Sequence, residues 1–144
     1  MIELGVVSLW QVLDLSQNLL EGSCFSSGRR FNQLLSQMTT LTSIDLNQNP
    51  LLGPAAWCTI INALRDNKNH KIGTWSISDQ QRMDPDVVKA LAGFLAASRA
   101  LTSIGEKGLN LIGSQVGDEG WGAIISAVCA STVSSVATID VNSE

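Results

Sequence analysis

The chain has 144 residues, enough for one domain with a sizeable core, and 44% of them are hydrophobic. Charged residues make up only 15%, against a usual share of about 25%, so much of the surface is neutral. The net charge of −4 and the scattered basic residues exclude the basic stripe of a nucleic-acid binder, and no apolar run approaches the roughly 18 residues of a membrane span.

The first segment, Met1 to Val7, carries Glu3 and no basic n-region, so it does not read as a secretory signal. Cys24, Cys58 and Cys129 are odd in number and widely spaced. That argues against a disulfide framework and for a reducing, intracellular compartment, cytoplasmic or organellar.

The first patterned stretch is Trp10-Gln-Val-Leu13-Asp14-Leu15-Ser-Gln-Asn18. Leu13 and Leu15 are two apart and share one face of a short strand. A longer loop from Glu21 to Gly28 leads to Phe31, Leu34, Leu35 and Met38, one stripe of a helix.

The second stretch repeats this more cleanly. Leu41, Ile44 and Leu46 form the strand pattern and Asn49 ends it. Trp57, Ile60, Ile61 and Leu64 then form the helical stripe, with Pro54 where a first turn tolerates it.

The third copy runs Ile72-Gly-Thr-Trp75-Ser76-Ile77-Ser-Asp-Gln80. Its helix carries Val88, Leu91, Ala92 and Leu95 behind an expected Asp84 N-cap and Pro85.

The fourth strand is degraded to Leu109-Asn110-Leu111-Ile-Gly-Ser114, and its helix repeats Trp121, Ile124, Ile125 and Val128. The fifth strand is Val136-Ala-Thr-Ile139-Asp140-Val141. The segment Leu101 to Gly108 is extra. A register starting the fourth strand at Leu101–Ile104, with Gly105–Gly108 as an insertion, is the alternative. Leu109–Leu111 is preferred because it leads into Val116 at the distance at which Leu46 leads to Leu51.

Aligned on Leu15, Leu46, Ile77, Leu111 and Val141, the steps are 31, 31, 34 and 30 residues. One strand–helix unit cannot bury its apolar face alone; stacked copies can.

The pattern Leu41-x-x-Ile44-x-Leu46-x-x-Asn49, with Val116-Gly-Asp-Glu-Gly120 before a helix, resembles the leucine-rich repeat family. The subtype it is most similar to is the ribonuclease-inhibitor-like class, whose repeats carry a full α-helix. The resemblance spans Ser8 to Glu144. These repeats are longer than the family's usual 20–29 residues, Trp75 replaces an aliphatic residue, and the amide column decays from Asn18 and Asn49 to Gln80 and Ser114.

The resemblance implies an α/β fold. It would be a right-handed solenoid, or horseshoe, of four to five strand–helix units over residues 1–144 as a single domain. A parallel sheet would lie on the concave side and helices on the convex side. It also implies a buried ladder formed by Asn18, Asn49 and Gln80.

The concave surface would then be set by residues alternating with the core. Asp14, Asp45, Ser76, Asn110 and Asp140 would form its central column, with Thr42, Ser43 and Asn47 beside them. These are the expected protein-binding residues.

No catalytic constellation emerges. His70 is the only histidine and reads as a solvated loop residue. Cys58 and Cys129 read as small helix-packing residues. Zinc-type spacing is absent, and the Gly113–Gly122 stretch lacks the lysine and hydroxyl of a phosphate loop. The four tryptophans, Trp10, Trp57, Trp75 and Trp121, fall on expected core positions.

The expectation is therefore a non-catalytic protein-binding scaffold without cofactor or metal, a structural subunit of a multisubunit complex. It would bind no nucleic acid and insert in no membrane. The resemblance offers an alternative: a regulator of a small GTPase, with Glu21, Arg82 and Asp118-Glu119 as loop contacts.

Overall fold

A computed structural model describes residues 10–21, 29–77, 83–111 and 114–140, with residues 29–31 as backbone. The elements alternate along the chain. They are β1 (Val12–Asp14), α1 (Arg29–Gln37), β2 (Ser43–Asp45), α2 (Pro54–Asp66), β3 (Thr74–Ser76), α3 (Pro85–Ala97), β4 (Ser103–Ile104), β5 (Leu109–Asn110), α4 (Gly117–Ala130) and β6 (Thr138–Ile139). The strands form one parallel sheet in the order β1-β2-β3-β5-β4-β6. Among the described residues no helix is long and apolar enough to cross a membrane.

Two layers follow from the strand alternation. Leu13, Ile44, Trp75, Leu109, Ile104 and Ile139 all point toward the apolar core that the helices supply. Their neighbours Asp14, Asp45, Ser76 and Asn110 remain exposed or half-exposed on the other face. Each helix packs on the next: α1 on α2, α2 on α3, and α3 on α4.

The expected helical stripes supply the core. Trp57, Ile60, Ile61 and Leu64 are buried, as are Val88, Leu91, Ala92 and Leu95. Leu35 and Met38 are buried and Leu34 half-buried; the Phe31 side chain lies outside the described residues. Pro54 starts α2. Asp84 caps α3, its carboxylate accepting from Asp86 N at 2.8 Å.

Register is kept by a constant offset on one side of the sheet. Leu13, Ile44 and Trp75 are laterally paired, and Trp75 pairs with Leu109. The preferred fourth strand is thus β5, directly beside β3.

Beyond it the expectation is corrected. The Leu101–Ile104 segment also forms a strand, β4, and it enters between β5 and β6. A four-residue return, Gly105 to Gly108, connects two parallel strands that would normally need a crossover of a dozen residues. Glycine makes it possible. Gly105 has φ +140°, and a Cβ on Gly108 would collide with the Ser103 carbonyl oxygen.

Two polar seams tie the units together. At the strand exits, Asn49 is buried and its Nδ2 donates to Leu15 O at 2.9 Å and Leu46 O at 3.0 Å, while its Oδ1 accepts from Leu20 N. Ser114 continues the seam by donating to Ile77 O at 2.5 Å. The hydroxyl replaces the amide without a bridging water.

Asn18 is exposed and, among the described residues, bonds within its own turn, to Leu15 O and Ser16 O. Gln80 lies outside the described residues.

The second seam runs along the helix exits. Asn67 Nδ2 donates to Leu35 O and Met38 O, and Ser131 and Ser134 donate to Ala96 O and Leu95 O. Between them Ser98, fully buried, accepts from Leu101 N at 3.1 Å.

Three further expectations are corrected. Trp10 is 39% exposed rather than in the core. It stands 31 residues before buried Leu41, but on the edge strand, where one neighbour is missing among the described residues. His70 is buried, not solvated: its ring stacks on Phe94 at 5.3 Å, and Phe94 meets Trp75 edge-on. Cys58 is half-buried in α2, whereas Cys129 is exposed; Cys24 lies outside the described residues.

Candidate functional site: the uncovered face of the sheet

Because side chains alternate along a strand, burying the Leu13–Ile44–Trp75 row leaves a second row uncovered. Asp14 pairs with Asp45, Asp45 with Ser76, and Ser76 with Asn110. Four of the five expected central positions therefore stand side by side, at the strand spacing of about 4.8 Å. Asp140 does not join them. Its backbone N donates to Ile104 O, which places it beside Gly105, with β4 separating it from Asn110.

Much of this row is tied into the turns. Asp14 Oδ1 accepts from Ser16 N at 2.9 Å and from Ser16 Oγ at 2.6 Å. Those bonds, the hydroxyl first, hold its carboxyl below the usual value despite a small opposing effect of burial. Asp45 Oδ1 likewise accepts from Asn47 N at 2.9 Å. Each is an Asx turn, followed by a glutamine in the left-handed region, Gln17 and Gln48, both at φ 55°.

Asn47 Nδ2 donates to Ser76 Oγ at 2.6 Å, so the face is cross-braced between units. Thr42 Oγ1 donates to Gln11 O at 3.0 Å, and Ser43 is half-buried beside it. The face is thus a preorganised polar plane whose carboxylates are acceptors with assigned donors.

Reactive groups elsewhere are held back. Nδ1 of His70 accepts from Ile72 N at 3.2 Å, and burial lowers the imidazole pKa. The Cys58 thiol is pushed up, first by burial and then by the Asp86 and Asp84 carboxylates, which keeps it protonated. Among the described residues, no group of three or more His, Cys, Asp or Glu could hold a metal ion.

The sequence pattern did not anticipate a groove of about 660 Å³ between the starts of α3 and α4. Met83, Val88, Ala92 and Val116 form its apolar walls, and Lys89 and Asp118 lie among its polar lining. Its signal was Gly120, where a Cβ would meet Val116 and Val88 and hold the helices apart.

No protein-family model matches the chain, and a search of curated proteins returns no match.

Proposed function

We propose that the chain is a non-catalytic protein-binding scaffold: a leucine-rich-repeat solenoid of the ribonuclease-inhibitor-like type. In this reading the sheet is its concave side, the helices its convex side, and the chain a structural subunit of an intracellular complex. The observation that carries the reading is the lateral register of Asp14, Asp45, Ser76 and Asn110 on an uncovered, hydrogen-bonded polar face. A rigid polar plane offers a partner many fixed donors and acceptors at little entropic cost.

The test is purification from cells at native size, with mass spectrometry of stoichiometric copurifying proteins. The variants Thr42→Lys and Thr74→Lys accompany the wild type; both positions are exposed on this face. The reading expects a defined partner that both variants release. A monodisperse monomer without a partner sinks it. A copurifying small GTPase would instead favour the regulator of a nucleotide switch.

A further inference from the structure

The internal joints show what the two outer edges of the described sheet and helix layer can bind. In α2, Trp57, Ile60, Ile61 and Leu64 are at most 2% exposed, because α1 packs on one side and α3 on the other. The counterparts 64 residues later, in α4, have α3 as their only helical neighbour among the described residues. Ile124 is buried, but Ile125 is 43% exposed, and Trp121 and Val128 are half-buried. Val133, just past α4, is also exposed.

Among the described residues the opposite edge, β1, is open in the complementary sense. Leu13 and Leu15 are half-buried where their counterparts Ile44 and Leu46 are fully buried.

We propose that these two faces are halves of one joint, and that the α4–β6 end of one copy docks head to tail on the β1 end of a second copy. The backbone supplies the register. Thr42 N and Ser43 N both reach Gln11 O; Gly73 N and Thr74 N both reach Thr42 O; Ala137 N and Thr138 N both reach Thr102 O. In each joint, two successive amides of the later strand share one carbonyl of the earlier strand. Ala137 occupies that carbonyl position before β6, and Gln11 and Val12 occupy the amide positions at β1. The Ala137 carbonyl of one copy therefore receives Gln11 and Val12 of the next.

The parallel sheet and the helix layer both continue across the contact. A joint of two different faces is heterologous, so it extends as an open chain or closes as a ring. It uses the ends of the sheet rather than its uncovered face, and so does not depend on the function proposed above.

Sedimentation velocity on the purified full chain tests this, from micromolar to near-millimolar concentration. The wild type forms species that grow with concentration. Ile125→Lys blocks one end, and Gln11→Pro removes an amide that the other end needs, so each variant alone stays monomeric. Mixed in equal amounts, the two form a one-to-one dimer and nothing larger, because each keeps one intact end. If either variant loses its far-ultraviolet circular dichroism, Val133→Lys or Val12→Pro replaces it at the same end.

A wild type that is monomeric throughout overturns the proposal. So does a mixture that stays monomeric, or a dimer that Ile125→Lys abolishes and Gln11→Pro leaves intact, which would be an isologous contact of two α4 faces. Thr74→Lys, on the uncovered sheet face, leaves the association unchanged.

Discussion

Acidifying the protein should destabilise it through His70, the only histidine in the chain. Its ring is 9% exposed, stacked on Phe94, and its Nδ1 accepts from Ile72 N. That bond requires the neutral ring with its proton on Nε2. Protonation would remove the acceptor and place a charge in the core, so burial holds the folded pKa below the ordinary 6.5. As pH falls through 6.5 the unfolded chain binds a proton that the folded chain refuses, and stability declines. Between 6.5 and the lowered folded value stability falls as pH falls, with a slope below the one-proton ceiling of about 1.4 kcal/mol per pH unit. Above 6.5 the contribution is fully present. Side-chain carboxylates titrate mainly at lower pH, so the window from 6.5 down to about 5 isolates the imidazole.

The assay is urea denaturation followed by tryptophan fluorescence at several pH values, since Trp75 packs edge-on against Phe94. His70→Phe keeps the ring stack but strands Ile72 N, costing about 1–3 kcal/mol at every pH. It should lose the slope between 5 and 6.5. A wild type with flat stability in that window, or a variant with the same slope, refutes the argument.

Asn49→Ala should cost about 3 kcal/mol, because it strands two carbonyls and an amide, whereas Asn18→Ala, exposed and bonded within its own turn, should cost about 0.5 kcal/mol; equal losses on urea denaturation would contradict the seam. Gly108→Ala should cost about 1–3 kcal/mol because its Cβ meets the Ser103 carbonyl, and Gly53→Ala, with open space around it, should stay within about 0.5 kcal/mol. Amide hydrogen exchange at low protein concentration should release α4 before α2, since α4 buries one residue of a stripe that α2 buries completely; slower exchange in α4 would contradict the burial argument.

The units were legible because each carries two independent periods, a strand alternation and a helical stripe, at one offset. That is why β1, β2, β3 and β5 stand where the Leu13, Ile44, Trp75 and Leu109 alignment puts them. β4 was not legible as a strand beside β5, since no helix separates them and only Gly105 and Gly108 mark the sharp return. The helix-exit seam was also missed. Asn67, Ser98 and Ser131 recur at offsets of 31 and 33 residues, but they follow helix ends, where polar residues are common. The burial of His70 depends on Phe94, which belongs to the next unit and leaves no trace in the local pattern. The sheet-face residues were located correctly in four positions. Their involvement in Asx turns was hidden because Asp14 and Asp45 reach residues two further on, a spacing the strand pattern treats as background.

The seams also give the stack a direction. Among the described residues, every side chain that captures a carbonyl in another unit reaches back toward an earlier one. Thr42 reaches Gln11, Asn49 reaches Leu15, Asn67 reaches Leu35, Ser114 reaches Ile77, and Ser131 reaches Ala96. The strand backbone bonds both ways, with Leu15 N and Gln17 N donating forward to Asp45 O and Asn47 O, so the direction lies in the side-chain seams and in the parallel register. A two-fold pairing of α4–β6 ends would run β6 antiparallel to its copy and set α4 against α4, an arrangement that no joint among the described strands uses. Pairing an α4–β6 end with a β1 end repeats the polarity of the internal joints. The backward reach shared by Asn49 and Ser114, together with the parallel register, is what a head-to-tail joint would repeat and a two-fold one would not.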